Sequence, residues 1–383
     1  ADRMARPFLI AVLIAAAGAG LFWWSHDPGH AVMVAVAVLI VTCPCALSLA
    51  TPAAMLASAG ALARRGVLVR RLQAMETLAT VDTVVFDKTG TLTRDAFALA
   101  RSTTRAGVQA RDALAWAGAL ARQSLHPVSR ALVAAADGVA FPVVRAEAVQ
   151  EFSGQGLLGR LSVDSADRVE VREFRLGSAA FCGLSRPMAD GLEVCLADAD
   201  GWVATFELRE DLREDARSTV QWMQDNGISV RLLSGDGAAA VARVADALGI
   251  EAAQGGCSPQ DKLDFLREAQ GQGHKVAMIG DGLNDGPGLA GAHASFAFGR
   301  AVPLAQSQAD FVVMGEQLAA VAQTVQLARR TMRIVRQNLW WAAAYNAVCV
   351  PLAVVGWLPA WLAGLGMALS SLAVVMNALR LAP

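Results

Sequence analysis

Apolar residues are concentrated at the two ends of this 383-residue chain, whereas the middle mixes polar and apolar positions as soluble domains do. Three runs contain no Asp, Glu, Lys or Arg: residues 7–24, 31–63 and 339–379, the last with a break near 356–359. A helix of about 20 residues crosses the hydrocarbon core of a bilayer. These runs therefore predict four membrane-spanning helices, arranged as two hairpins.

The charges beside these runs predict how the spans are oriented. The short connections 25–30 and 356–360 contain no Lys or Arg. The other ends are flanked by Arg3, Arg6, Arg64, Arg65, Arg70, Arg71, Arg329, Arg330, Arg333, Arg336 and Arg380. Because basic residues stay on the cytoplasmic side, both termini and the whole middle are predicted to be cytoplasmic. Tryptophans typical of an interfacial belt lie near the span ends, at Trp23, Trp24, Trp340, Trp341, Trp357 and Trp361.

Composition agrees with a chain that is partly embedded in membrane lipid. Hydrophobic residues make up 55% of the chain and charged residues only 17%. The 33 basic residues nearly balance the 34 acidic ones, which gives a formal net charge of -1. A chain without a global positive charge lacks the electrostatic footprint of a nucleic-acid partner. We therefore expect an integral membrane protein with no nucleic acid partner.

The soluble middle contains three apolar, β-like runs that each end on an acidic turn. Residues 81–86 lead into DKTGTLT at 87–93, residues 230–233 into Ser-Gly-Asp at 234–236, and residues 276–279 into GDGLND at 280–285. Helical patterns fill the gaps between them, which predicts β-α-β units with a parallel sheet. Open sheets of this kind place their chemistry at the carboxyl ends of the strands.

The ordered set of DKTGTLT, SGD, GDGLNDGP, a His-Pro dipeptide and a membrane Cys-Pro-Cys resembles the heavy-metal P-type ATPases over nearly the whole chain. The resemblance implies an α/β phosphorylation domain of the haloacid-dehalogenase-like fold, an α+β nucleotide-binding insert and a metal path through the four membrane helices. The implied boundaries are a membrane hairpin at 1–63, a phosphorylation domain in two parts at 64–93 and 210–336, a nucleotide-binding domain at 94–209 and a second hairpin at 337–383.

The acidic turns suit phosphoryl transfer from ATP. Asp87 is a carboxylate able to attack a γ-phosphoryl group, while Asp281 and Asp285 add negative charge that calls for Mg²⁺. By resemblance, the catalytic set is Asp87, Lys88, Thr89, Ser234, Gly235, Asp236 and Lys262, and the Mg²⁺ ligands are Asp87, Thr89, Asp281 and Asp285. Ser234, Gly235 and Lys262 would donate to phosphoryl oxygens. The alternative is that these aspartates only form turns after strands.

Position 89 separates an ATPase from a phosphatase of the same fold. The resembling phosphatases carry a second Asp two residues after the nucleophile, where this chain has Thr89. A threonine is a poor base for activating water at neutral pH. We therefore expect an aspartyl-phosphate that persists, which disfavours the alternative of a membrane-tethered phosphatase.

The insert carries the residues that resemble the family's nucleotide site: His126, Pro127, Gly154 and Gly156. An imidazole would pack near adenine, and glycines permit close backbone approach. Leu125 and Ala121 replace acidic residues common in the family, so the adenine contacts are less well defined than the phosphate contacts. The alternative is that His126 and the glycines are turn or surface residues.

The membrane runs carry a candidate site for a soft metal ion. Cys43 and Cys45 bracket Pro44, a residue that interrupts helical hydrogen bonding, so both sulfurs could face one cavity. With them the resemblance groups Tyr345, Asn346, Met367 and Ser371. Thiolates and a thioether favour Cu(I), with Zn(II) and Cd(II) as competitors. The alternatives are cysteines buried as small hydrophobes and polar residues that only pack helices.

The resemblance also sets expectations beyond the motifs. The family normally has further helices, an actuator domain with a T-G-E motif and often a C-x-x-C domain, and T-G-E does not occur in this sequence. We therefore expect a fragment or one half of a split transporter that cannot turn over alone. A cytosolic copper chaperone or a small thiol is the implied donor. The SGD variant favours the oxidase-assembly type of copper ATPase, and a non-catalytic metal-binding remnant stays an alternative.

Overall fold

The computed structural model describes residues 2–42, 45–137, 145–165, 168–184, 192–281, 285–299, 301 and 303–382. The chain divides into two compact units, one formed by Ala1–Asp87 with Arg217–Pro383 and the other by Lys88–Ala216. Each unit is described by itself below.

Helices and strands alternate through most of the chain. The helices are α1 Asp2–Trp24, α2 Pro28–Val41, α3 Cys45–Arg64, α4 Ala74–Ala79, α5 Ala110–Ala121, α6 Pro127–Asp137, α7 Ala216–Asp225, α8 Ala238–Leu248, α9 Pro259–Gly271, α10 Gly286–Gly291, α11 Pro303–Gln308, α12 Ala319–Val354 and α13 Ala360–Leu379. The strands are β1 Val67–Val69, β2 Thr83–Phe86, β3 Thr93–Thr104, β4 Arg145–Phe152, β5 Gly156–Ser165, β6 Arg168–Gly177, β7 Leu192–Asp198, β8 Gly201–Leu212, β9 Ser229–Leu233, β10 Ala252–Gln254, β11 Val276–Ile279, β12 Ala294–Phe298 and β13 Phe311–Val313.

The first unit contains a sheet of seven described strands in the order β1-β13-β12-β11-β2-β9-β10. All neighbours are parallel except the edge pair β1 and β13. Every residue of β2, β11 and β12 is buried, as expected for strands covered on both faces. Leu266 of α9 and Leu289 of α10 share a buried core with Val85 and Met278. The predicted parallel α/β sheet is confirmed.

Strand order brings the three acidic turns to one edge of this sheet. β2 lies between β11 and β9, and Phe86 at its end is in register with Ile279 and Leu232. The amide nitrogen of Asp87 donates to the carbonyl oxygen of Ile279 at 2.9 Å, which extends the pairing one residue past β2. The loops after these strands therefore leave the sheet side by side.

The apolar ends of the chain form long helices in the same unit. The run 31–63, which the sequence predicts as a single span, is two helices, since α2 ends at Val41 and α3 begins at Cys45. The sequence places a proline between them, and proline cannot donate a helical hydrogen bond. Among the described helices, Ala360–Leu379 alone is both long and apolar enough to cross a bilayer, and Leu13–Trp24 and Pro28–Val41 are shorter apolar segments.

Polar side chains join these helices at a few buried points. The hydroxyl oxygens of Ser58 and Thr331 lie 2.6 Å apart and connect α3 to α12. Asn377 on α13 donates from Nδ2 to Oδ1 of Asn338 on α12 at 2.8 Å. The indole nitrogen of Trp23 donates to the carbonyl oxygen of Val354 at 3.1 Å. Such bonds fix neighbouring helices where apolar packing alone is weakly directional.

The second unit is an antiparallel sheet of six described strands in the order β3-β8-β7-β6-β5-β4. Leu120 of α5 and Leu132 of α6 pack with Phe174 and Phe206 of the sheet in a buried core. This arrangement is the α+β architecture predicted for the insert. The compact unit runs from Lys88 to Ala216, further at both ends than the predicted 94–209, because β3 and β8 pair from Thr93 and Leu212 onward.

Candidate active site

Asp87, Lys262 and Asp285 form a buried ionic cluster at the carboxyl edge of the seven-stranded sheet. The ammonium nitrogen of Lys262 donates to Oδ1 of Asp87 at 2.6 Å and to Oδ1 of Asp285 at 2.7 Å. All three side chains are more than nine-tenths buried. Buried charges are tolerated only when they are paired and hydrogen-bonded. The cluster therefore presents Asp87 ionised and fixed in place.

Asp281 completes a set of three carboxylates. One oxygen from each of Asp87, Asp281 and Asp285 lies within 4.8 Å of the others. Three carboxylates this close together repel one another, and hard oxygen donors at this spacing are what Mg²⁺ prefers. The donor set therefore fits the predicted Mg²⁺.

A helix N-terminus positions Lys262. The Ser258 hydroxyl accepts from the amide of Asp261 at 3.2 Å, and the carboxylate of Asp261 accepts from the amide of Ser258 at 2.8 Å. This reciprocal capping box fixes the first turn of α9. The Ser258 hydroxyl donates to Oδ2 of Asp261 at 2.7 Å, and this bond, together with the one from the Ser258 amide, holds the pKa of Asp261 below its ordinary value. Lys262 follows directly and points inward.

The electrostatics of the cluster favour a charged lysine. Burial is the largest influence on Lys262 and opposes its charge, but the nearby carboxylates of Asp87 and Asp285 and their hydrogen bonds outweigh it. The net result raises the pKa of Lys262 above its ordinary 10.5. The ammonium group is therefore available at neutral pH to neutralise a phosphoryl group.

Gly280 gives Asp285 the room it needs. A Cβ at position 280 would lie 2.8 Å from both Cγ and Oδ2 of Asp285, closer than real side chains approach. The sequence analysis did not single out this residue. The sequence feature that could have identified it is its position as a glycine between the apolar strand and Asp281.

The Ser234-Gly235-Asp236 loop is held by the segment after β10. The Ser234 amide donates to the Gln254 carbonyl at 3.0 Å, and the amide of Gly256 donates to the Asp236 carbonyl at 2.7 Å. The buried Ser234 hydroxyl accepts from the amide of Asp236 at 3.2 Å. Because β9 neighbours β2, this rigid loop lies on the same sheet edge as Asp87.

Lys88 and Thr89 begin the second unit. The segment that starts with them is held by β8 and by Arg213, the residue that follows β8. Lys88 forms an ion pair with Glu210. The buried guanidinium of Arg213 donates to the carbonyl oxygens of Thr91 at 2.7 Å and Gly90 at 2.6 Å. Arg213 was not predicted as a site residue. Thr89 is exposed, and its role as a Mg²⁺ ligand stays a prediction.

His126 lies at the start of α6, with Pro127 as the first helical residue. Its Nδ1 accepts from the amide of Val128 at 3.3 Å, and the side chain is exposed. The Ser124 hydroxyl donates to Oε1 of Glu151 at 3.0 Å, which ties the His126 loop to the end of β4. His126 thus has a capping role within the protein, and its exposed ring is still open to a ligand.

The two predicted glycines lie in the turn between β4 and β5. Gly154 has a φ of 69°, a left-handed conformation that favours glycine. Gly156 is paired with Gly177, and a Cβ there would lie 2.7 Å from the Cα of Gly177. Sheet geometry therefore accounts for both glycines. The Ser124–Glu151 hydrogen bond ties the His126 loop to the strand that leads into this turn.

The residues predicted to bind the transported metal ion lie on the helices formed by the apolar runs. Cys43 lies outside the described residues, and of Cys45 only the backbone at the start of α3 is described. Tyr345 and Asn346 are on α12, and Met367 and Ser371 are on α13. The four side chains are half-buried.

Tyr345 brings two of the candidate segments together. Its hydroxyl donates to the Ala363 carbonyl at 3.5 Å and lies 2.9 Å from where a Cβ on Gly366 would be. The residue also packs on a cluster that contains Val41, two residues before Cys43 in the sequence. Tyr345 therefore contacts α13 just before Met367 and packs on a cluster to which α2 also contributes.

Three cysteines outside these segments, Cys182, Cys195 and Cys257, are buried and are not part of a disulfide. Burial raises the pKa of Cys182 to about 12 and raises the pKa of Cys257. The raised pKa makes Cys182 and Cys257 poor metal ligands at neutral pH because the thiolate is the binding form.

The carboxyl-edge cluster and the sheet that carries it define the class. The model of the haloacid dehalogenase-like hydrolases matches residues 81–293, more than half of the chain, and the chain belongs to that family. Within it, the chain is 37% identical over 394 residues to a cation-transporting P-type ATPase B of Mycobacterium bovis and 36% identical over 398 residues to a copper-exporting P-type ATPase of Mycobacterium tuberculosis.

The matches cover the whole of this chain but only part of each relative. Both matches cover 100% of this chain but 52% and 50% of the relatives, so the chain spans about half the length of the curated relatives it matches. The crystal structure of a zinc-transporting PIB-type ATPase superposes with a TM-score of 0.84 at 27% identity, covering 100% of this chain and 64% of that one. The fold is therefore that of the PIB-type ATPases.

Proposed function

We propose that this chain is the catalytic and ion-conducting core of a P-type ATPase that exports Cu(I) from the cytoplasm through an aspartyl-phosphate on Asp87. One observation carries the proposal. Asp87 is buried at the carboxyl edge of the sheet, 2.6 Å from Lys262, with Asp281 and Asp285 beside it. An ionised, immobilised carboxylate with a cation at its side is an activated nucleophile for phosphoryl transfer.

In the proposed reaction, a carboxylate oxygen of Asp87 bonds to the γ-phosphorus of ATP. The bond from that phosphorus to the β–γ bridging oxygen breaks, and ADP leaves with the electron pair. Lys262 transfers hydrogen bonds from the Asp87 oxygen to the phosphoryl oxygens as charge moves onto them. Mg²⁺, held by Asp87, Asp281 and Asp285 with Thr89, would neutralise phosphate charge.

The sequence around the nucleophile supports a lasting intermediate. Thr89 has no carboxylate with which to activate water, so the acyl phosphate survives long enough to drive a conformational change. Arg213 and Glu210 hold the chain that follows Asp87, which keeps this loop in one conformation during transfer.

ATP is proposed to bind at the exposed face of the second unit, with adenine near His126 and Pro127 and the backbone turn of Gly154 and Gly156 alongside. The accessibility of the His126 ring and the hydrogen bond between its loop and β4 support this placement.

Cu(I) is proposed to cross between α2, α3, α12 and α13, using Cys43 and Cys45 with Tyr345, Asn346, Met367 and Ser371. The contacts of Tyr345 with Ala363 and Gly366 on α13, and its packing on a cluster to which α2 contributes, support a shared path. This assignment places the helices in the inner membrane with both termini cytoplasmic, and a cytosolic chaperone or small thiol delivers the ion.

Zn(II) is the competing cargo, because the superposed crystal structure is that of a zinc-transporting ATPase. Residues 339–379 of this chain contain no Lys, Asp or Glu. Soft sulfur ligands without a carboxylate favour Cu(I) over Zn(II). We therefore assign Cu(I) as the cargo.

Acid-stable labelling with γ-labelled ATP tests the reaction. We expect a hydroxylamine-sensitive label that requires Mg²⁺ and rises when Cu(I) is supplied under reducing conditions. Release of phosphate by this chain alone should be slow, because hydrolysis needs a positioned water that Thr89 does not supply. A chain that binds ATP and Cu(I) yet never labels would be a metal-binding remnant, whereas steady hydrolysis of small phosphoesters would identify a phosphatase.

Cu(I) stoichiometry tests the cargo. The double variant Cys43→Ser with Cys45→Ser should lose most bound Cu(I), since hydroxyls are poor ligands for soft ions. The matched control is Cys182→Ser with Cys195→Ser, which removes two thiols buried in the second unit and should bind as the parent does. Equal loss in both variants, or no loss in the first, contradicts the assignment.

A further inference from the structure

Four exposed arginines lie in the middle of α12 and at the C-terminal end of α13. Arg333 and Arg336 are three residues apart and share one face of α12. Arg330, one turn earlier, donates from its guanidinium to the carbonyl oxygen of Arg380 at 2.9 Å, which brings the end of α13 alongside. These four residues, called the boundary arginines below, are all exposed.

The surface changes from cationic to apolar immediately beyond the boundary arginines. On α12, Trp340 and Trp341 follow Arg336 by one turn and are 76% and 53% exposed. On α13, Leu379 precedes Arg380 and is 52% exposed. Tryptophans that lie between basic residues and an exposed apolar surface are typical of the depth at which lipid headgroups lie in a bilayer. The arginines are therefore placed where lipid phosphates would be.

The positive charge of this patch is not balanced from within its own helices. Neither α12 nor α13 contains an Asp or Glu. Within the part of the chain that the structure describes, no salt bridge joins a boundary arginine to a carboxylate. The protein oxygens they contact belong to neutral groups, the Arg380 carbonyl and the Asn377 side chain. Clustered like charges repel, so an anion bound here would be stabilised.

We propose that the boundary arginines form a docking surface for the phosphodiester headgroups of anionic phospholipids in the cytoplasmic leaflet. Guanidinium groups bind phosphate oxygens through paired hydrogen bonds. The adjoining tryptophans and apolar helix surfaces face the acyl chains, which selects a lipid over a soluble phosphate. A cluster of cations needs a net negative headgroup, so phosphatidylglycerol is preferred over zwitterionic phosphatidylcholine. The proposal rests on the membrane placement given under Proposed function.

Tryptophan quenching by brominated lipids tests this preference. The full chain is reconstituted into phosphatidylcholine vesicles that contain a small fraction of either brominated phosphatidylglycerol or brominated phosphatidylcholine. We expect the anionic lipid to quench at a much lower fraction. Substituting Arg330→Gln, Arg333→Gln and Arg336→Gln together should reduce this preference at least about tenfold, since one basic residue near an anionic surface contributes about a fivefold gain.

Two matched variants separate headgroup binding from general charge and from misfolding. Arg231→Gln, Arg243→Gln and Arg267→Gln remove the same charge from the soluble part and should leave the preference unchanged. Lysines at the three boundary positions, as Arg330→Lys, Arg333→Lys and Arg336→Lys, keep the charge but lose the paired hydrogen bonds, so the preference should fall between those of the parent and the triple Gln variant, and added salt should weaken it.

The outcomes separate this proposal from the one it rests on. Quenching by both lipids without preference in the parent, or an equal preference in the triple Gln variant, overturns the docking surface and leaves the transporter assignment standing. Absence of quenching by either lipid overturns the membrane placement and the docking surface together.

Discussion

The carboxyl edge of the seven-stranded sheet and the His126 loop hold their polar side chains in opposite ways. At the edge, Asp87, Lys262 and Asp285 are buried and bond to one another through their side chains. At the loop, His126 is exposed and its ring bonds to a backbone amide. Removing a member of the first set leaves a buried charge without its partner, whereas removing His126 disturbs little else. The two regions should therefore respond very differently to substitution.

The largest effect is expected from Asp87→Asn. The amide cannot form an acyl phosphate, so labelling should fall by more than roughly a thousandfold, while ATP affinity stays close to that of the parent. Asp82→Asn is the matched control, because Asp82 lies at the opposite end of the same strand. Labelling that survives in Asp87→Asn would show that another residue accepts the phosphoryl group.

Lys262→Met should be the next most severe change. The variant loses the cation that pairs two buried carboxylates and stabilises the transferring group, which we expect to slow label formation on the order of a hundredfold or more. Because the pKa of Lys262 is raised above 10.5, the lysine stays charged at every pH below that value, and the ratio of variant to parent should not change from roughly neutral pH to pH 9. Lys275→Met, at an exposed site, should be neutral; a ratio that moves with pH contradicts this account.

Gly280→Ala tests the space around Asp285. The added Cβ would displace the carboxylate, and a displaced ligand typically weakens metal binding by about ten- to a hundredfold. The Mg²⁺ concentration for half-maximal labelling should rise accordingly. Gly271→Ala, where a Cβ meets nothing within 4 Å, serves as the control. An unchanged Mg²⁺ requirement would mean that Asp285 does not bind the ion.

The smallest effect is expected from His126→Ala. Loss of one stacking or hydrogen-bonding partner costs about 1–2 kcal/mol, or roughly 5- to 30-fold in ATP affinity. His274→Ala, another exposed histidine, should not alter nucleotide binding. If ATP affinity in His126→Ala equals that of the parent, the residue serves only to cap α6.

The strand-end motifs predicted the sheet and the cluster of aspartates because both depend on local pattern. A parallel sheet aligns the carboxyl ends of its strands, so Asp87, Asp281 and Asp285 had to meet once the strands were identified. Lys262 was also predicted, from its place in the resemblance. Their hydrogen-bonding and burial follow from tertiary packing, which the sequence pattern does not contain.

Other features depend on contacts between distant residues. Arg213 clamps Gly90 and Thr91 across more than 120 positions of sequence, and no local pattern marks that pairing. The Ser124–Glu151 hydrogen bond joins the His126 loop to the end of β4, and no local pattern marks that pairing either. Pro44 was predicted to interrupt helical hydrogen bonding, but the continuous hydrophobicity of 31–63 did not mark where α2 ends and α3 begins. Hydropathy predicts burial in lipid, while hydrogen bonding decides where a helix ends.

The most direct test of the central claim is to locate the phosphoryl group chemically. The protein is incubated with ATP and Mg²⁺ in the presence of Cu(I), acid-quenched, and treated with borohydride, which reduces an acyl phosphate to an alcohol. Peptide mass spectrometry then identifies the modified position. The account predicts reduction at Asp87 alone, dependent on ATP. Modification of any other carboxylate, or none while ATP is demonstrably bound, would contradict it.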